Sequence, residues 1–175
     1  MTDAKPEVWL RGPIEGVPPL LQPVAHALLQ VTEEIKVIVD SLPTHLLWER
    51  PAGVASPGFH LLHMCGVIDR MRTYASGKQL SEEQFADLKA EKEERQMNAH
   101  ELVRKVNVAV ESMIEFLKNT DTASLTEQRA VGRKQLPSTV IGLLFHTAEH
   151  VQRHNGQLLV TVKVLAAGKL NGQAH

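Results

Sequence analysis

One cysteine, Cys65, is all that this 175-residue chain contains. A single cysteine excludes an internal disulfide and a thiolate-rich zinc cage within one chain. A reducing, cytoplasmic setting fits that scarcity. An excess of one charge is missing too: 19 Lys and Arg stand against 20 Asp and Glu, a net charge of −1. That balance argues for neither a nucleic acid nor an anionic membrane as partner. No window holds about 18 uninterrupted apolar residues, so no membrane span is expected. The first residues, Met1 to Glu7, show no charged stretch followed by an apolar one, and no signal peptide is expected. Internal repeats, low-complexity tracts and strong strand signals are also lacking. What is present is 43% hydrophobic residues, enough for a sizeable core, in a length that suits one domain.

The apolar residues fall at helical spacing. Residues 1–16, broken by Pro6, Gly12 and Pro13, read as a flexible tail. From Pro18 to about Ser41, Leu20, Leu21, Val24, Leu28, Val31, Ile35 and Ile38 mark a first helix, with Pro18 and Pro19 in its first turn. Residues 43–56 read as a loop tucked down by Trp48. Ser56-Pro57 opens a second helix, with Ser as cap and Pro as first residue, running to about residue 75. Ser81-Glu-Glu-Gln84 fits a capping box at the head of a charged segment, 81–95, expected to be a solvated excursion. A third main helix spans about 97–118 on Leu102, Val106, Val110, Met113, Ile114 and Leu117. Residues 119–135 are polar, with two weakly signalled extended pieces, and are long enough to cross over. The last helix is expected over about 137–167, starting in Leu136-Pro137-Ser138-Thr139 and ending at Gly168. It is apolar nearly all round outside one face, as a central helix would be. Four main helices imply an all-α four-helix bundle over 17–168, with sites built from facing helices, and a short tail over 169–175.

The remaining face of the last helix carries His146, His150 and His154, at i, i+4 and i+8, spread over about 80° of arc. A lone histidine on an apolar helix is more often a hydrogen-bonded core residue. Three in a row are harder to dismiss, because buried imidazoles need partners and a divalent ion is one. A further ligand should come from another helix, and His60 and His63 on the second helix both qualify. Cys65 lies about 200° around from His63 and reads as a small buried apolar residue. His45 in its loop and His175 at the terminus suit surface roles. His146-Thr-Ala-Glu149-His150 also matches H-x-x-E-H, in which two histidines hold zinc and the glutamate is the base. That chemistry needs another ligand downstream, and residues 151–175 hold no acidic residue; the string reads as coincidental.

Two segments together are more specific. Ser56-Pro-Gly-Phe-x-Leu-Leu-His63 is followed much later by Leu136-Pro-Ser-Thr-x-x-x-Leu-Leu-Phe-His146-x-x-x-His150-x-x-x-His154-x-Gly-Gln157. Over about residues 18–166 the chain resembles the DinB/YfiT-like superfamily: four-helix bundles with a long crossover and a three-histidine metal site. The resemblance implies His63, His150 and His154 as ligands, and His146 as a supporting or pocket residue one turn earlier. Many relatives have His-Arg-Gly-Gln where this chain has His154-Asn155-Gly156-Gln157, which leaves ligation intact but removes that arginine.

Three neutral histidines leave a coordination position open for water or substrate. The resemblance implies an enzyme that activates water or a low-molecular-weight thiol toward a small-molecule substrate, as a thiol S-transferase or hydrolase. Zinc or nickel is the expected metal, with iron or manganese also compatible. It implies a homodimer as well, though no surface patch in the sequence calls for one. His60, Gln157, Arg70 and Tyr74 are further pocket candidates, Arg70 as a holder of an anionic group. Glu149 is a candidate base whose plainer role is a salt bridge. The alternative is a metal- or ligand-binding bundle, or a dimeric interaction protein, without turnover.

Overall fold

The structure, a computed structural model, describes residues 5–172, and the side chains of residues 5–168. His175 and the first four residues of the expected N-terminal tail lie outside the described residues. Five α-helices follow in order: α1 (Gln22–Asp40), α2 (Pro57–Ala75), α3 (Glu82–Ala90), α4 (Ala99–Lys118) and α5 (Val140–Gly172). Two short strands, β1 (Gln128–Val131) and β2 (Leu136–Thr139), pair antiparallel between α4 and α5. The expected bundle is there: α1, α2, α4 and α5 pack together, with α2 and α5 each against the other and α1 and α4 closing the square. α1 stands diagonally from α2, and α4 from α5, so the 119–139 connection crosses the end of the bundle. None of these helices is long and apolar enough to cross a membrane.

Most of the residues marked by helical spacing are buried, while Leu20, Phe145 and Leu159 are exposed. Leu28, Val31 and Ile35 of α1, Leu61 and Met64 of α2, Leu102, Val106, Val110, Met113 and Leu117 of α4, and Leu144, Val151 and Leu158 of α5 are all fully buried. Removing that much apolar surface from water is the main stabilising term. Start signals are legible as well. Ser56 Oγ accepts from Phe59 N at 3.2 Å, with Pro57 in the first turn of α2. The capping boxes Ser81/Gln84 and Asn98/Glu101 open α3 and α4.

Four expectations need correction. The first helix begins at Gln22, after a 3-10 turn at Pro19–Leu21, so Pro23 and not Pro18 or Pro19 lies in its first turn. The described part of the expected N-terminal tail is docked along α1. Val8 is buried and its N–H donates to Gln30 Oε1 at 2.9 Å, and Arg11 clamps Glu33 at 2.6 and 2.8 Å. Those partners lie 22 residues away, so no local pattern announces them. Leu136–Thr139 is strand β2, not the start of the last helix. The left-handed residues Gly132 (φ 68°) and Gln135 (φ 51°) turn the hairpin, and Thr139 Oγ1 caps α5 by accepting from Gly142 N at 3.1 Å. Pro137 is tolerated because both strands are edges. Finally, α5 runs to Gly172, through Gly168, and is a corner of the bundle rather than its centre. Phe145, Val160 and Val164 are more than half exposed.

Trp48 does hold the 43–56 loop down, against the first turn of α2. A Cβ at Gly58 would lie 2.5 Å from Trp48 Cζ3. Gly58→Ala should therefore push the indole off the helix and destabilise the protein by about 1–3 kcal/mol. A thermal melt reads this as a loss of about 2–4 °C per kcal/mol for a chain of this size. An unchanged melting temperature would show that the loop does not depend on this contact.

Candidate metal centre

Because α2 and α5 are neighbours, the histidines of the two helices meet. His60 and His63 lie three residues apart on α2 and face α5, on which His150 and His154 sit one turn apart. Ring nitrogens of His63, His150 and His154 all lie within 4.8 Å of one another. His63 Nε2 faces His150 Nε2 at 2.9 Å. The His63 and His154 rings are 4.5 Å apart between centroids, and those of His150 and His154 4.7 Å. Phe59 stacks on the other side of His63 at 5.2 Å, its plane 12° from parallel.

Of the two other polar contacts of the cluster, one sets a tautomer and the other orients a ring. His63 Nδ1–H donates to Glu91 Oε2 at 2.6 Å. A carboxylate accepts only, so the proton of a neutral His63 sits on Nδ1 and the Nε2 lone pair points at His150. His60 Nδ1 and His154 Nδ1 share a hydrogen bond of 2.9 Å. His60, 4% exposed, is thus the support of a cluster member and stands outside the set of three. Burial, with the neighbouring histidines adding to it, lowers the pKa of His60 and His150 to about 4 and that of His154 to about 3. These rings are neutral at pH 7, with lone pairs to offer.

The donor set suits a divalent transition ion. Zinc–nitrogen bonds are about 2.0–2.1 Å, which puts two tetrahedral ligands of one ion about 3.3 Å apart, close to the 2.9 Å between His63 Nε2 and His150 Nε2. His150 Nδ1 is buried and has no hydrogen-bond partner among the described residues, so this ring is held by the cluster alone. Three imidazoles with no carboxylate or thiolate among them fit a divalent transition ion and do not choose which one. Cys65 stays apart, its thiol pushed up by burial to about 12.

The remaining candidates divide. His146 is 47% exposed at its side chain, its Nδ1 3.8 Å from Glu149. It forms a second, surface group with Glu149 and His150. Glu149 itself is clamped by Arg153, with contacts of 2.5 and 2.9 Å, the salt bridge that its plainer reading expects. Gln157 lines a cavity of about 530 Å³ together with Phe59, His60, His154, Arg153 and Val54. Arg70 is not a holder of an external anion: it is buried and bonded to Glu91 Oε1. Tyr74 is 5% exposed and belongs to the apolar core, not to the pocket.

Glu91 is the residue that the sequence hides. It sits in the charged 81–95 segment that reads as solvated, yet its side chain is 7% exposed. The only signal is indirect. Gly66 lies inside an otherwise well-filled helix, and a Cβ there would occupy the place of the Glu91 carboxylate and the Arg70 guanidinium.

A family model described as the DinB superfamily matches residues 1–158. No curated protein matches the chain.

Proposed function

The chain belongs to the DinB superfamily, and from that membership and the histidine cluster we propose that it is a metal-dependent enzyme, its divalent ion held by His63, His150 and His154. The observation that carries the reading is the convergence of one ring nitrogen from each of these residues within 4.8 Å. When bound, such an ion lowers the pKa of water or of a thiol and polarises a carbonyl. The protein's own groups do the rest. The neutral rings of His150 and His154 keep their lone pairs available at pH 7, and His60 orients His154 through the 2.9 Å hydrogen bond. Phe59 covers one face of His63 and keeps water from it. The cavity beside His154 has apolar walls from Val54, Phe59 and Val160, with Arg153 and Gln157 among its polar groups. That lining suits a small molecule with an apolar body and a polar end. Transfer to a low-molecular-weight thiol, or hydrolysis, is the reaction class that this reading assigns.

The test is metal content followed by turnover. His146→Ala should retain the metal of the wild type with affinity changed less than about twofold, since it removes an exposed side chain. Loss of metal in this variant would move the centre to the His146, Glu149 and His150 group. Protein stripped by chelation should be inactive on a panel of fluorogenic thiol-transfer and ester substrates, and zinc or nickel should restore activity. Turnover indifferent to stripping would overturn the reading. One observation favours the non-catalytic alternative. Both carboxylates near the cluster are engaged by arginine, Glu91 by Arg70 and Glu149 by Arg153, so neither stands free as a base. Stoichiometric metal with a silent panel would support that alternative.

A further inference from the structure

Between Ser76 and Asn98 the chain leaves the bundle, forms α3 and returns. Glu91, in the residue after α3, is the one buried residue of that stretch. α3 itself buries nothing. The ties of α3 itself are superficial: Gln84 bonds Asp69 and Thr73 at 2.5 and 2.8 Å, and Arg133 lies over the Phe85 ring at 4.9 Å, while partly buried Leu80 and Met97 pack against the core at the two ends of the stretch. A segment this polar has little apolar area with which to hold itself down. Its anchor is a carboxylate, and a carboxylate goes into a protein interior only when its oxygens are met. Arg70 meets one oxygen and His63 the other.

Charge balance alone would need only Arg70. The second partner is an imidazole whose opposite nitrogen faces His150 at 2.9 Å. A carboxylate on the far nitrogen of a ligand histidine fixes its tautomer and orientation and makes it a better ligand. α2 gives way to admit that carboxylate, since Gly66 leaves free the space that any side chain would fill. We propose that Glu91 is the positioning residue of the metal centre, so that metal binding and docking of the 76–98 excursion are one coupled event. The inference rests on His63, His150 and His154 holding the ion. Coupling is reciprocal: metal pins the excursion down, and anything that lifts the excursion weakens metal binding.

Two readouts test this, neither of them activity. Zinc affinity is measured by competition with a chromophoric chelator, and hydrogen exchange over residues 76–98 is measured with and without zinc. In the wild type, zinc should slow exchange in 76–98. Glu91→Gln should weaken zinc binding about 10- to 100-fold and abolish the zinc-dependent slowing, with partial recovery in Glu91→Asp. Gly66→Ala should do the same by displacing the carboxylate, even though alanine is the better helix former. It decides the matter if Glu91→Gln fails to fold. A merely structural Glu91 would lower the melting temperature of the metal-free variant and leave zinc affinity and the exchange difference at wild-type values; that result overturns the proposal. So does wild-type exchange over 76–98 that ignores zinc. Wild-type protein that takes up no zinc or nickel at all would instead remove the metal centre on which the inference rests.

Discussion

His154→Ala and His63→Ala should each purify almost free of metal, while the wild type carries about one ion per chain. Structural zinc sites with four ligands contribute about 10–16 kcal/mol. One ligand of three is therefore worth about 3 kcal/mol or more, roughly two orders of magnitude or more in Kd. The two residues come from different helices, so the pair tests the convergence of α2 on α5 and not one helix alone. The substitutions leave the fold in place. Both histidines are only partly buried; His154→Ala strands His60 Nδ1, and His63→Ala strands Glu91 Oε2, which keeps Arg70 on its other oxygen, and His150 Nε2. An orphaned polar group costs about 1–3 kcal/mol, less than the stability of an ordinary domain. His60→Ala should have the smaller effect on metal, because its ring acts through His154. Metal content by elemental analysis after dialysis against a chelator separates these outcomes. Wild-type stoichiometry in both His154→Ala and His63→Ala would show that the ion, if any, sits elsewhere.

Mild acid should destabilise the metal-free protein steeply. His60 and His150 titrate at about 4 in the folded chain and His154 at about 3, against about 6.5 in an unfolded one. Above pH 6.5 these rings are neutral in both states, and their contribution to stability is complete. As pH falls below 6.5 the unfolded chain takes up protons that the folded one refuses. Stability then declines with pH until the folded rings themselves protonate near pH 3–4. Each fully responding group contributes about 1.4 kcal/mol per pH unit, and with His150 and His154 discounted for their remaining exposure the three together give about 2 kcal/mol per unit. Metal release should come at the acid end of this window, where the folded rings of His150 and His154 themselves protonate, near pH 3–4, because protons then compete for the same nitrogens. The Arg11–Glu33 pair contributes nothing between pH 7 and 5: the hydrogen bond from Arg11 lowers Glu33 from 4.5 to about 2, so its stabilisation is complete above pH 4.5 and is lost only as pH falls from there toward 2. Urea unfolding at pH 7, 6 and 5 measures the slope. A midpoint that does not move between pH 7 and 5 would mean that the rings are not desolvated as described.

Much of this was legible before any coordinates. Helical spacing marks the buried stripes of α1 and α4 because a helix returns each side chain to the same face every 3.6 residues. The capping box of α3 and the Ser56-Pro57 start are legible because the partners of a cap are three residues away. The family motif adds which histidines to watch. Other features escape for one shared reason. Arg11 finds Glu33, Pro137 pairs with Ala130 across a hairpin, and Glu91 crosses to His63 over 28 residues. None of these partners stands at a local spacing.

The sequence by itself therefore determined the helices, the faces they bury and the row of histidines on α5, since these follow from local periodicity and capping chemistry. Only the tertiary structure decided that α5 is a corner helix with His146 left in solvent. It alone brought His63 opposite His150, set His60 behind His154, and made Arg70, a pocket candidate, and Glu91, from a segment read as solvated, a buried pair against His63. Those outcomes depend on which helices become neighbours and on where a 23-residue polar excursion lands. Distances through space, not along the chain, set the electrostatics that decide them.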